Sequence, residues 1–76
     1  MPRDELVVDA DVDPIIVQVE RMLREHALVE VLTRDSRGEQ RIGSAGMLNE
    51  IVRLMESEIR RRFSRNYVFV IRPFEL

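Results

Sequence analysis

Arg34, Arg37 and Arg41 run directly into Ile42-Gly43-Ser44-Ala45-Gly46, and this stretch holds the residue types most able to do chemistry. Guanidinium groups grip phosphate and carboxylate bidentately. Small residues at a helix start leave the first N–H groups and the positive dipole end open to an anion. The segment reads as a basic loop feeding a glycine-rich helix start, with Arg34, Arg37, Arg41, Gly43, Ser44 and Gly46 as candidate contacts. A purely structural reading stands beside it: Gly43 supplies a positive φ in a turn, and Gly46 lets the helix lie close to a sheet. Arg60, Arg61, Arg62 and Arg65 form a secondary basic patch at the far end of the same helix, where they also answer its dipole. On this reading only a dimer brings the two clusters into one site.

Catalytic and metal chemistry find little material. The single histidine, His26, falls at a helix end with no nucleophile expected beside it. Asp9, Asp11 and Asp13 alternate, but they lack the glycine and the later glutamate of a calcium loop. There is no P-loop, dinucleotide fingerprint or zinc spacing, and there is no cysteine. The expectation is a non-enzymatic binder with no cofactor and no metal. Tyr67, Phe69 and Phe74 could stack on bases, with Phe69 expected in the core and Phe74 the better contact.

The elements that position these residues follow from periodicity. Leu6 to Ala10 is a short strand. Asp13 caps a helix whose first position is Pro14, with Ile15, Val19 and Met22 on its buried side, ending near His26. Leu28 to Thr33 alternates as a second strand. Arg34 to Arg41 is polar and aperiodic, read as a loop or as a hairpin returning over Glu39 to Ile42. Ser44 caps a second helix running to about Arg62, with Leu48, Ile51, Met55, Ile59 and Phe63 as its buried stripe. Glu56–Arg60 and Glu58–Arg62 are i,i+4 pairs placed on its wet side. Tyr67 to Ile71 is apolar on both faces, which marks a central strand or one covered by a partner.

The predicted fold is an α/β (α+β) two-layer sandwich of order βαβαβ. Both helices lie on one face of a three- to four-stranded mixed sheet, in a single domain spanning residues 1–76. The opposite sheet face is expected to be wet or an interface.

Composition fits a globular domain, with 45% hydrophobic and 34% charged residues. Acidic residues in the first twenty-five positions argue against a signal peptide, and no apolar run is long enough for a membrane span. A cytoplasmic location is therefore expected. Net charge is −2, but residues 1–33 carry eight acids and three arginines while residues 34–76 carry six acids and nine arginines. The molecule is expected to have an acidic portion and a basic portion. With no disulfide and a modest core, a homodimer is the expected assembly.

From Ile42-Gly43-Ser44-Ala45-Gly46 through Met47-Leu48-Asn49-Glu50-Ile51-Val52 the chain resembles the Alba superfamily, and within it the stage V sporulation protein S family. The C-terminal domain of bacterial translation initiation factor three has a similar layout. This resemblance implies an Alba-like sandwich, dimerisation, and nucleic-acid contact through loop and helix-start residues. Ile42-Gly43 followed by Gly46 also resembles the clamp of a KH domain. A ferredoxin-like βαββαβ sandwich is a third layout, should Glu39 to Ile42 pair as a strand. The leading expectation is a small nucleic-acid-binding module, with RNA slightly favoured over DNA. The alternative is a protein–protein interaction or self-assembly module using the free sheet face.

Overall fold

The structure is a computed structural model that describes residues 5–9, 16–64 and 66–74. Its elements are β1 (Leu6–Asp9), α1 (Ile16–Glu25), β2 (Val29–Asp35), β3 (Gly38–Ala45), α2 (Leu48–Arg61) and β4 (Val68–Pro73). The Asp13 cap, Pro14 and Ile15 of the first helix, Ala10, Asp11 and Arg65 lie outside the described residues.

Four strands form one sheet in the order β1-β4-β2-β3. Every neighbouring pair is antiparallel, so the mixed sheet expected from the sequence is corrected to an antiparallel one. The physical reason is interleaving. β1 and β2, joined through α1, run parallel with β4 between them; β3 and β4, joined through α2, run parallel with β2 between them. Each split βαβ unit leaves a slot that a strand of the other fills. The two-layer sandwich stands, and the hairpin option for residues 34–42 is the one adopted.

That hairpin turns tightly. Asp35 pairs with Gly38 across the turn, and Asp35 Oδ1 accepts the Arg37 backbone N–H at 2.8 Å. Gly38 sits at φ +124°, a conformation that only glycine takes without strain. Further along, Val31 pairs with Gly43 and Leu32 with Arg41, so Ile42 is an extra residue that bulges the strand.

The core lies between the sheet and the two helices. Val19 and Met22 of α1 meet Ile51 and Met55 of α2, Val29 and Val31 of β2, Ala45 of β3, and Tyr67, Phe69 and Ile71. β4 is a central strand, which accounts for apolar residues on both its faces. Val70 points away from the helices and is nevertheless 0% exposed, and Leu32 beside it is buried too.

The outer sheet face is solvent-facing and carries a network of charged side chains. Arg34 of β2 donates to Glu39 of β3 through Nε and Nη2 and to Glu5 at 3.4 Å. Arg72 of β4 donates through Nε to Glu30 of β2 at 2.6 Å and lies 3.7 Å from both Glu5 and Glu39. Arg41 reaches Glu30 at 3.7 Å and places its guanidinium 4.7 Å from the Phe74 ring centre. Three arginines and three glutamates thus bond to one another across the strands that carry Leu32 and Val70. The Arg34 hydrogen bond holds the Glu39 carboxyl below the usual carboxylate range.

Candidate functional site

The anticipated pocket at the start of α2 does not assemble. Gly43 and Ser44 belong to β3, not to a helix start, and the α2 N-cap is Met47, which makes no side-chain cap. Ser44 instead accepts a hydrogen bond from Arg41 Nη2 at 3.1 Å. Glu50 occupies the first turn of α2, where a carboxylate already answers the positive dipole end. Among the anticipated arginines, Arg34 and Arg41 are held by glutamates of the outer sheet face, and Arg37 sits at the hairpin tip. The reason is strand length. The eight residues of β3 extend about 25 Å, so they carry the hairpin tip to the opposite end of the sheet from the α2 N-terminus.

Both glycines of the pair have packing roles. A Cβ on Gly46 would lie 2.9 Å from the Ala27 carbonyl oxygen, and one on Gly43 would meet the tip of Leu54 at 2.9 Å. Neither has a positive φ, so the turn role expected of Gly43 belongs to Gly38.

The same geometry creates a different site. The fourteen residues of α2 rise about 21 Å and return alongside β3, so α2 ends beside the hairpin tip. Of the three loop arginines Arg37 alone therefore comes to face Arg61 and Arg62 of the secondary basic patch within one molecule. An open groove of about 730 Å3 separates them. Asp35, Ser36, Arg37 and Gln40 line it on the hairpin side, and Arg61, Arg62, Phe63, Ser64 and Asn66 on the helix side.

The floor of this end is a built polar cluster. Glu58 is only 5% exposed, not on the wet side of α2 as the i,i+4 spacing suggests. It accepts two hydrogen bonds from Arg61 Nη2, at 2.8 and 3.0 Å, and one from Arg62 Nε at 2.6 Å. Burial alone would raise the Glu58 carboxyl, but the hydrogen bonds from Arg61 and Arg62 outweigh it and hold it below the usual range. Arg62 also donates to Thr33 Oγ1 at 2.9 Å, lies 3.7 Å from Asp35, and stacks over Tyr67 at 4.3 Å.

Arg62 is thus consumed by the fold. Arg61 gives one nitrogen to Glu58 and leaves its side chain 68% exposed. Arg37 and Arg60 are exposed and form no ion pair among the described residues.

Phe63 is the residue that periodicity misplaces. Helical spacing sets it at the end of the buried stripe, but α2 stops at Arg61 and Arg62 turns extended at φ −98°, ψ 135°. That turn sends the Arg62 guanidinium inward over Tyr67 and leaves Phe63 fully exposed, at 107% of the reference value. A signal for this is present in the sequence: Ile51, Met55, Glu58 and Arg62 are themselves at helical spacing, and the stripe tilts along that line before it reaches Phe63.

Among the described residues, no three His, Cys, Asp or Glu side chains gather as metal ligands. No helix among them is long and apolar enough to cross a membrane. Compared with protein-family models, curated proteins and solved structures, the chain matches none of them.

Proposed function

We propose that this chain is a small, non-enzymatic nucleic-acid-binding module that works through the hairpin-and-helix end of the sandwich. The observation that carries the reading is the convergence of Arg37 with Arg61 across a groove rimmed by an exposed Phe63. Exposed guanidinium groups are suited to phosphate, and an aromatic beside them offers a surface for bases. Asp35 faces the same groove, but its carboxylate is occupied by the Arg37 N–H and approached by Arg62. The site sits on a chain of net charge −2, so affinity arises from local arrangement and should fall with salt. The helix-start contacts first expected at Gly43, Ser44 and Gly46 form no part of the proposal. Arg34 and Arg41 are likewise set aside, because glutamates already occupy them.

The rival reading, protein docking on the outer sheet face, has less support. Its arginines and glutamates are already paired with one another. Leu32 and Val70 beneath them are buried, and Val7 of β1 is about half exposed.

The test is fluorescence anisotropy with a labelled RNA oligonucleotide at several salt concentrations. Arg37 and Arg61 meeting two phosphates of a single strand give a log–log slope of about −1.4, or roughly a 7-fold loss of affinity from 50 to 200 mM salt. Tight binding with a flat salt response, or no binding at low salt, would count against the proposal. Light scattering on the same samples reads whether a second copy takes part.

A further inference from the structure

We infer that the groove takes an unpaired nucleotide, its base stacked on the face of Phe63 and its flanking phosphates held by Arg37 and Arg61. The inference rests on the reading of this end as a nucleic-acid site and adds what kind of strand enters it. A duplex hides its base faces and is read by an element laid along a groove. Here no helix side or strand row is presented, only a hairpin tip facing a helix end across a cleft. The volume of that cleft, about 730 Å3, lies within the roughly 300–1,000 Å3 of small-ligand sites. That suits a nucleotide rather than a double helix.

Phe63 is held for this task rather than left on a loose tail. The residue before it is fixed: the Arg62 backbone N–H bonds to the Glu58 carbonyl at 3.1 Å, and the Arg62 side chain is anchored on Glu58, Thr33 and Tyr67. After it, the Asn66 N–H donates to Ser64 Oγ at 3.1 Å. An aromatic ring presented from a fixed backbone binds with less ordering cost than one on a mobile loop. Ser36, Gln40, Ser64 and Asn66 add hydrogen-bonding groups around the cleft that can meet base edges or a ribose hydroxyl.

The chain contains no tryptophan, so Phe63→Trp introduces a single, selectively excitable tryptophan at the proposed stacking surface. An eight-nucleotide single-stranded RNA, the same sequence as a duplex, and a poly-glutamate peptide serve as probes for wild type, F63A, F63W, R37A and R61A. The single strand is expected to bind more tightly than the duplex and to quench F63W emission. F63A should weaken single-strand binding roughly 5- to 150-fold, the range for losing one stacked base, while F63W retains affinity.

If F63A binds as wild type and F63W emission is unmoved while R37A and R61A still weaken binding, stacking is refuted and the nucleic-acid reading stands. Equal affinity for duplex and single strand likewise removes the unpaired nucleotide and leaves the nucleic-acid reading in place. If no nucleic acid binds, both fall. Tighter binding and quenching by the peptide would overturn both in favour of an acidic protein partner.

Discussion

Replacing Arg62 with alanine tests whether the hairpin-and-helix end is held together by one buried ion cluster. In the folded protein Arg62 supplies Glu58 with a 2.6 Å hydrogen bond, Thr33 with a 2.9 Å one, and Tyr67 with a guanidinium face at 4.3 Å. The variant would leave Glu58, 5% exposed, dependent on Arg61 alone. The Arg61 side chain is 68% exposed, and an exposed arginine contributes little to such a pair. Breaking a buried ion pair costs about 3–5 kcal/mol; because Arg61 remains and the cluster lies at the rim, about 2–3 kcal/mol is expected here. A core of this size holds only about 3–5 kcal/mol in total, so Arg62→Ala should sit close to unfolding. Urea denaturation followed by far-UV circular dichroism would show a midpoint lower by roughly 2 M, given a slope near 1 kcal/mol per molar for a small protein. Arg61→Ala should shift it far less. Replacing Glu58 and Arg62 together, as E58L with R62M, should recover much of the loss, since no charge is then left buried. A loss below about 0.5 kcal/mol for Arg62→Ala, within the range of an ordinary surface change, would refute the reasoning. So would a double variant less stable than the single one.

Three further outcomes follow from the same contacts. Glu39 and Glu58 have carboxyls held below the usual range by arginine hydrogen bonds. Their stabilisation is therefore complete above the unfolded glutamate value of about 4.3 and is lost as pH falls through the lowered folded values. Urea midpoints should hold steady above about pH 5 and decline below it, less steeply in E58L/R62M than in wild type. Gly46→Ala, whose Cβ would lie 2.9 Å from the Ala27 carbonyl oxygen, should cost about 1–3 kcal/mol. Gly43→Ala, which meets only the yielding tip of Leu54, should cost less than that in thermal melts. Arg34→Ala and Arg41→Ala should change oligonucleotide affinity by less than about twofold, because their guanidinium groups face glutamates of the outer sheet. Arg37→Ala should weaken it severalfold and reduce the salt slope by about 0.7.

Much of the fold is legible where one physical rule dominates. The apolar alternation of Val29, Val31 and Thr33 marks β2, and the two-sided apolar run through Val68, Phe69, Val70 and Ile71 marks a central strand, which β4 is. β3 is harder to read because it is a polar, bulged edge strand: Glu39, Gln40 and Arg41 carry no hydrophobic alternation, and Ile42 breaks the period of two. The Asp35–Gly38 turn is its clearest local sign.

The site is misplaced by sequence for a reason of direction rather than composition. The arginines are in plain view, but a loop and a hairpin send Arg37 to opposite ends of the sheet. Only pairing with β2, which spacing alone does not reveal, decides between them. The end of α2 fails similarly. Extending the stripe from Ile59 to Phe63 assumes two more helical residues, whereas the buried Glu58 claims Arg62 and turns Phe63 out.

The most direct test is backbone-amide NMR of the labelled protein titrated with the eight-nucleotide single-stranded RNA. Shift changes are expected to cluster at Ser36 to Gln40 and Arg60 to Asn66, with the largest change near Phe63. The outer-face strands through Glu30 and Arg72 should stay still. Changes centred on Gly43 to Leu48 or on the outer sheet face, or a spectrum unmoved by a large excess of RNA, would contradict the account.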